Sequence, residues 1–217
     1  MAFETGRHKF APGRIAKNYL FFDCPKINKA NKGFRKFIFI ITIFVRRRGI
    51  FKTTLIRTEQ MKTVLLQIGK TSEKYISEGV DEFSGRIRKY TGFEIITIPD
   101  LKFTRNMPVA EQKLKEGEKI CKLLNPDDYV VLLDEKGKEF TTIEFSQQIR
   151  KIFMLARKRV VFIIGGPYGF SAEIYNRADL QLSMSRMTFS HQLVRLLFAE
   201  QLYRVLTVIK GDPYHHE

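Results

Sequence analysis

Val160-Val161-Phe162-Ile163-Ile164-Gly165-Gly166-Pro167-Tyr168-Gly169-Phe170 opens with five β-branched or aromatic residues and stops at a glycine-rich turn. Such a run reads as a buried strand. Upstream, Thr141 with Glu144 three residues on forms a capping box for a helix reaching about Arg157. Before it, Asp128–Leu133 is apolar without alternation at its core, as a strand covered on both faces should be, and it ends at Asp134. Pro108 opens a polar helix running to about Leu124. Two earlier strands, Thr63–Ile68 and Phe93–Ile98, flank a segment whose apolar residues Ile76, Val80, Phe83, Ile87 and Tyr90 step by four and three, which sets them on one helix face. Downstream come a short helix from Ser171, a strand around Leu180–Met184 and a long helix from about Thr188 to Val205. Strands and helices alternate, so the fold class is α/β with a mainly parallel sheet.

That regularity begins at Met61. Residues 1–60 show no sustained period and carry 14 Lys and Arg against 3 Asp and Glu, out of a formal net charge of +15 for the 217-residue chain. Most of the basicity, and with it the electrostatic case for a polyanionic partner, lies in this leader. Three readings stand for it: a basic RNA-binding arm, a targeting segment, or a start assigned too far upstream of a domain spanning 61–217. Its apolar run Phe37–Val45 is nine residues, where a spanning helix needs about 20. The two cysteines, Cys24 and Cys121, have no second ligand at metal spacing and read as free thiols of a reducing, cytoplasmic compartment.

Glycine-rich turns invite nucleotide readings, and two of them fail. Gly69-Lys70-Thr71 would need a glycine at position 64 to be a phosphate loop, and Val64 stands there. The turn after Ile164 is not G-x-G-x-x-G, and no acidic residue follows a later strand to take a ribose. What the turn does offer is bare backbone at the carboxyl end of a strand, against which a ligand can lie.

Four segments, in order and spacing, narrow the reading: LLDEKGKEF at Leu132–Phe140, VFIIGGPYGF at Val161–Phe170, LSMSRMTFSHQLVRLLFAEQLYR at Leu182–Arg204 and GDPYHHE at Gly211–Glu217. Together they closely resemble the RlmH family, large-subunit pseudouridine methyltransferases of the SPOUT class, over Met61–Glu217. The resemblance implies a carboxyl-terminal trefoil knot and S-adenosyl-L-methionine bound at Leu133, Gly165 and Met184-Ser185-Arg186-Met187-Thr188-Phe189. It implies transfer of a methyl group to ring nitrogen 3 of a pseudouridine in large-subunit rRNA, within the assembled ribosome, with no metal and no membrane. A valine at Gly165 should then fill the cofactor crevice with little effect on folding. Ser190 stands where the family has proline, which should loosen the entry to the last helix without removing a contacting group.

The last helix carries apolar residues on adjoining stripes, Phe189, Leu193 and Leu197 beside Val194, Phe198 and Leu202, wide enough to suggest a homodimer. Arg195 is a candidate phosphate contact, and Arg204 either another or the partner of Glu200 one turn back. The tail residues Tyr214, His215 and His216 are candidate RNA contacts, with His215 the candidate general base. Two rival functions remain open on the residues alone: an RNA-binding module without catalysis, and a nucleotide-binding enzyme using the same glycine turn.

Overall fold

The computed structural model describes residues 40–47, 50–57, 61–101, 106–155 and 157–214. Contacts divide the chain into Met1–Thr58 and Glu59–Glu217. In the first unit, where the sequence shows no sustained period, β1 (Ile40–Arg47) and β2 (Ile50–Arg57) pair antiparallel from Ile40↔Arg57 to Arg47↔Ile50. β-branched residues dominate both segments, which suits extended backbone.

The second unit runs β3 (Lys62–Ile68), α1 (Lys74–Ile87), β4 (Phe93–Ile98), α2 (Val109–Cys121), β5 (Tyr129–Lys138), α3 (Thr142–Phe153), β6 (Arg159–Ile164), α4 (Ala172–Arg177), β7 (Leu180–Leu182) and α5 (Leu193–Lys210). Its five strands lie in the order β4-β3-β6-β5-β7, and every pairing is parallel. Helices cover both faces of this sheet. Leu65, Val131 and Phe162 pack under Ile87 of α1, Ile149 of α3 and Phe198 of α5. Val64, Val130 and Ile163 face Ile120 of α2 and Ile174 of α4. Burial on both sides is why the strands read as continuous apolar runs, each large side chain contributing about 1.5–3 kcal/mol.

The elements follow the sequence in order and type, and α2, α3 and β7 end at Cys121, Phe153 and Leu182, two to four residues before the bounds expected for them. The expected capping box is present: the Thr141 N–H donates to Glu144 Oε2 at 2.8 Å, and the Glu144 N–H donates to Thr141 Oγ1 at 3.2 Å. β5, however, continues past Asp134 to Lys138, breaking register so that Leu133 and Lys138 both lie opposite Leu182. Gly137 permits this, because a Cβ there would stand 2.6 Å from the Leu182 carbonyl carbon. α5 begins at Leu193 and not Thr188, and it runs on to Lys210, closing at Gly211 with φ 76°. Ser190 sets the start: its Oγ accepts the Leu193 N–H at 3.1 Å. A hydroxyl at the position of the family's proline therefore supplies an amino-terminal hydrogen bond to the helix.

α5 lies between α1 and α3, with Gly79 of α1 allowing the Leu196 side chain to within 2.7 Å of where a Cβ would be. Phe198 and Leu202 are fully buried within the chain, while Leu193, Val194 and Leu197 keep part of their surface exposed. The chain itself therefore covers Phe198 and Leu202 of the apolar stripes, and leaves Phe189, Leu193, Val194 and Leu197 partly exposed.

Candidate active site

β6, β5 and β7 are neighbours, with Leu133 opposite both Ile164 and Leu182. The loops that follow them therefore leave the same edge side by side, at the carboxyl ends where parallel sheets bind ligands. Leu133 stands in β5 at this end of the sheet, beside the loops that hold Gly165 and Met184–Phe189. Three stretches that lie far apart in sequence are brought to one place.

Each loop is tied to another. The Gly169 N–H donates to the Gly166 carbonyl at 3.1 Å, and Gly169 has φ 79°, a conformation that favours glycine. Phe170 turns back into the core and meets Tyr175 edge-on with ring centroids 5.8 Å apart. The Tyr175 hydroxyl donates to Asp134 Oδ2 at 2.5 Å, linking α4 to the end of β5. Burial, and then that bond, push the Tyr175 phenol up to about 12. In the third loop the Met187 N–H donates to Ser185 Oγ at 2.9 Å, Arg186 Nε pairs with Glu139 Oε2 at 3.0 Å, and Thr188 Oγ1 lies 3.4 Å from Glu135 Oε2. The extension of β5 beyond Asp134 thus anchors this loop. Met184 is half-buried against the core, whereas Met187 is 74% exposed. Met187 is thus an apolar side chain left in solvent, of the kind that a partly apolar ligand can cover.

Gly165 does not face the crevice with its missing side chain. A Cβ there would lie 3.0 Å from Phe170 Cε1 and 3.1 Å from Cζ, inside the core. The expected harmless valine is therefore corrected: it would press on a buried ring before it met any ligand.

Comparison with known proteins agrees with this geometry. Residues 61–215 match the family described as Predicted SPOUT methyltransferase. The chain is 51% identical over 157 residues to the Ribosomal RNA large subunit methyltransferase H of Parabacteroides distasonis, covering 72% of this chain and 100% of that one. It is 51% identical over 156 residues to the protein of that name from Christiangramia forsetii (72% and 99%), and 44% identical over 157 residues to that from Porphyromonas gingivalis (72% and 100%). The chain belongs to the SPOUT methyltransferase family.

Within this SPOUT domain the other expected site residues fare unequally. Arg195 has no exposed surface; its Nη2 donates to the Ile68 carbonyl at 2.6 Å and its Nη1 to Thr71 Oγ1 at 2.9 Å. Burial pushes its guanidinium down, opposed by the charge of Asp100. The phosphate role expected for it is corrected, since no part of the side chain reaches solvent. Gln192 works beside it, accepting the Ser72 N–H at 3.2 Å and donating to the Lys70 carbonyl at 3.0 Å. The start of α5, one step after the Met184–Phe189 loop, is therefore fastened to the loop that follows β3.

Arg204 pairs with Glu200, as the i,i+4 spacing allows, and lies over the Tyr214 ring at 5.0 Å. Tyr214 also meets Tyr203 at 4.7 Å, and its hydroxyl lies 3.4 Å from Glu200 Oε1. Just ahead of it, the Tyr90 hydroxyl donates to Asp212 Oδ2 at 2.7 Å. The tail is held as far as Tyr214. His215 and His216 lie outside the described residues, as does Cys24. Among the described residues no group of His, Cys, Asp and Glu could hold a metal ion, and no helix is long and apolar enough to cross a membrane.

Sequence reasoning missed Glu116. It is buried on α2, its Oε1 accepts from Gln112 Nε2 at 2.9 Å, and a Cβ on Gly166 would come within 2.6 Å of its Oε2. Burial pushes its carboxyl above the usual range, the Gln112 bond opposes this, and the charge of Asp100 adds to the rise. A signal was present in the sequence: Gln112, Glu116 and Ile120 step by four, setting two polar residues on the same stripe as a core isoleucine.

Proposed function

We propose that this chain is an S-adenosyl-L-methionine-dependent methyltransferase of large-subunit rRNA, methylating ring nitrogen 3 of a pseudouridine in the cytoplasm as a homodimer. The observation that carries the reading is the meeting of Leu133 with the Gly165 and Met184–Phe189 loops at the ends of three adjacent parallel strands, in a chain half identical to relatives named for rRNA methylation. The carboxyl-terminal knot is part of this proposal. It is supported by the family and by the return of the chain after β7 to lay α5 against α1 and α3.

The residues present fit such a cofactor. Gly165-Gly166 offers backbone N–H and C=O groups free of side chains, Leu133, Met184 and Met187 offer apolar surface, and Glu116 Oε2 is a buried acceptor beside the turn with no partner. When bound, S-adenosyl-L-methionine supplies a methyl group already activated by its sulfonium. The protein has then to hold the acceptor nitrogen in line and let its proton leave as the new N–C bond forms. Arg186 and Thr188, tied to Glu139 and Glu135, and Ser185, which accepts the Met187 N–H, keep the third loop in place while this happens. His215 is the proposed proton acceptor, delivered by the tail of the second subunit whose start is fixed by Tyr214, with Tyr214 and His216 on the RNA.

The test is incubation of the full chain, and of a chain beginning at Met61, with isotopically methyl-labelled cofactor and ribosomes from cells lacking the gene, followed by mass spectrometry of the rRNA digest. Label on a single pseudouridine with both proteins is the expected result and assigns the activity to residues 61–217. Ribosomes without label would overturn the function, and label with the full chain alone would make the leader part of the enzyme. Calorimetry separates the rivals: binding of S-adenosyl-L-methionine but not ATP or NAD is expected.

A further inference from the structure

Glu116 is 4% exposed, and its Oε2 is shut off from solvent with no hydrogen-bond partner. Its position is fixed from both sides. The next residue, Gly117, packs so closely on the cap of α4 that a Cβ would stand 2.4 Å from Ser171 Oγ, and Gln112 one turn back holds Oε1. Gly166 faces the free oxygen with only a hydrogen, and such a C–H contact is too weak to satisfy a carboxylate. Among the described residues no ion pair relieves it: Lys119 on the same helix donates instead to the Pro99 carbonyl at 3.1 Å.

A buried carboxyl left half-satisfied costs the fold free energy, and a similar-sized apolar side chain on that stripe would serve α2 better. Its cost is understandable if the missing partner arrives with the ligand. Resting on the methyltransferase reading above, we infer that Glu116 is a binding residue of the site, its Oε2 accepting a hydrogen bond from a donor group of the cofactor lying on the Gly165-Gly166 turn. Two regions of S-adenosyl-L-methionine carry suitable donors, the adenosine part with its ribose hydroxyls and adenine amino group, and the ammonium of the amino-acid arm. Either would form a charge-assisted bond in a dry setting, where such bonds are strong. Gly166 is then required twice, as bare backbone under the ligand and as the residue whose lack of a Cβ leaves the carboxyl its place.

Calorimetry on the unaltered full chain, Glu116→Met and Glu116→Gln tests this, with S-adenosyl-L-methionine and with methylthioadenosine, which keeps the ribose hydroxyls and lacks the amino-acid arm. Glu116→Met should weaken S-adenosyl-L-methionine about ten- to a hundredfold, the worth of one such bond, and raise the melting temperature of the ligand-free protein. Glu116→Gln, which keeps an acceptor oxygen without the charge, should recover part of the affinity and carries the test if the methionine variant does not fold. An equal loss for methylthioadenosine places the bond on the adenosine part, and an unchanged methylthioadenosine affinity places it on the ammonium. Tight binding by the unaltered chain with no change in either variant would overturn the assignment of Glu116 alone. No binding by the unaltered chain would overturn the cofactor reading and this inference with it.

Discussion

Arg195 reaches from the first turn of α5 to the carboxyl end of β3, where its Nη2 meets the Ile68 carbonyl at 2.6 Å in a fully buried position. The bond joins the last helix of the chain to the first strand of its sheet. Replacing Arg195 with Lys removes the fork that serves Ile68 and Thr71 together, so unfolding in denaturant should show a loss of about 2–4 kcal/mol. Because the side chain touches no solvent, a folded Arg195→Met variant, which removes the charge, should keep the slope of RNA binding against salt. A slope shallower by one charge would return Arg195 to the RNA surface.

Gly165 should tolerate substitution poorly for a reason internal to the fold. Gly165→Val drives methyl groups toward the Phe170 ring, already 3.0 Å from the position of a Cβ. The expected cost is about 1–3 kcal/mol, with cofactor binding lost as the turn is displaced. Gly165→Ala should fall between. Melting curves unchanged by valine would mean that the ring moves aside freely.

Glu116 should leave a mark on the pH dependence of stability. Its folded-state pKa lies above the unfolded value because burial disfavours the charged form, with Asp100 adding to the rise and Gln112 and Lys119 opposing it. The folded protein then binds the proton more tightly. Stability is greatest below the ordinary carboxylate range, falls as pH climbs from the unfolded to the folded pKa, and loses nothing further above it. Glu116→Gln removes that loss, so the gain in melting temperature over the unaltered protein should widen as pH climbs from the ordinary carboxylate range. A difference that stays constant over that climb would mean that the carboxyl titrates alike in both states.

Removing Tyr214–Glu217 should separate folding from catalysis. Tyr214 contributes its contacts with Tyr203 and Arg204, so its loss should cost about 0.5–1.5 kcal/mol. Cofactor affinity and the dimer, followed by calorimetry and sedimentation, should survive, while methylation of ribosomes should vanish. Full activity without the tail, or a monomer at micromolar concentration, would refute the shared site.

The sheet was readable because Val160–Ile164 and Asp128–Leu133 carry their burial in an unbroken apolar pattern, and the capping box announced α3 through local hydrogen bonds. The ends of α5 were not. Phe189 falls on the same helical stripe as Leu193 and Leu197, so periodicity could not show that Ser190 holds the first turn back to Leu193. Arg195 was misjudged because a charge on a helical stripe normally points to water, and only the buried Ile68 carbonyl gives it a reason to point inward. The direction of the absent Gly165 side chain depends on Phe170 folding back, a contact without any period in the sequence. Family resemblance located the loops; it said nothing of the carboxyl beneath one of them.

β3, the first strand of the sheet, lies between β4 and β6, and its pairing with β6 joins Lys62 to Arg159. A chain emerging from the ribosome can zip β3 onto β4 at once, yet one edge of β3 stays open until Arg159–Ile164 has been made, and the cover of its Leu65 face is incomplete until α5 joins α1 and α3. Such distant pairing is slow to close and exposes sticky surface meanwhile. Folding of this domain is therefore completed only after synthesis of α5, the element that supplies the Arg195 and Gln192 clasps.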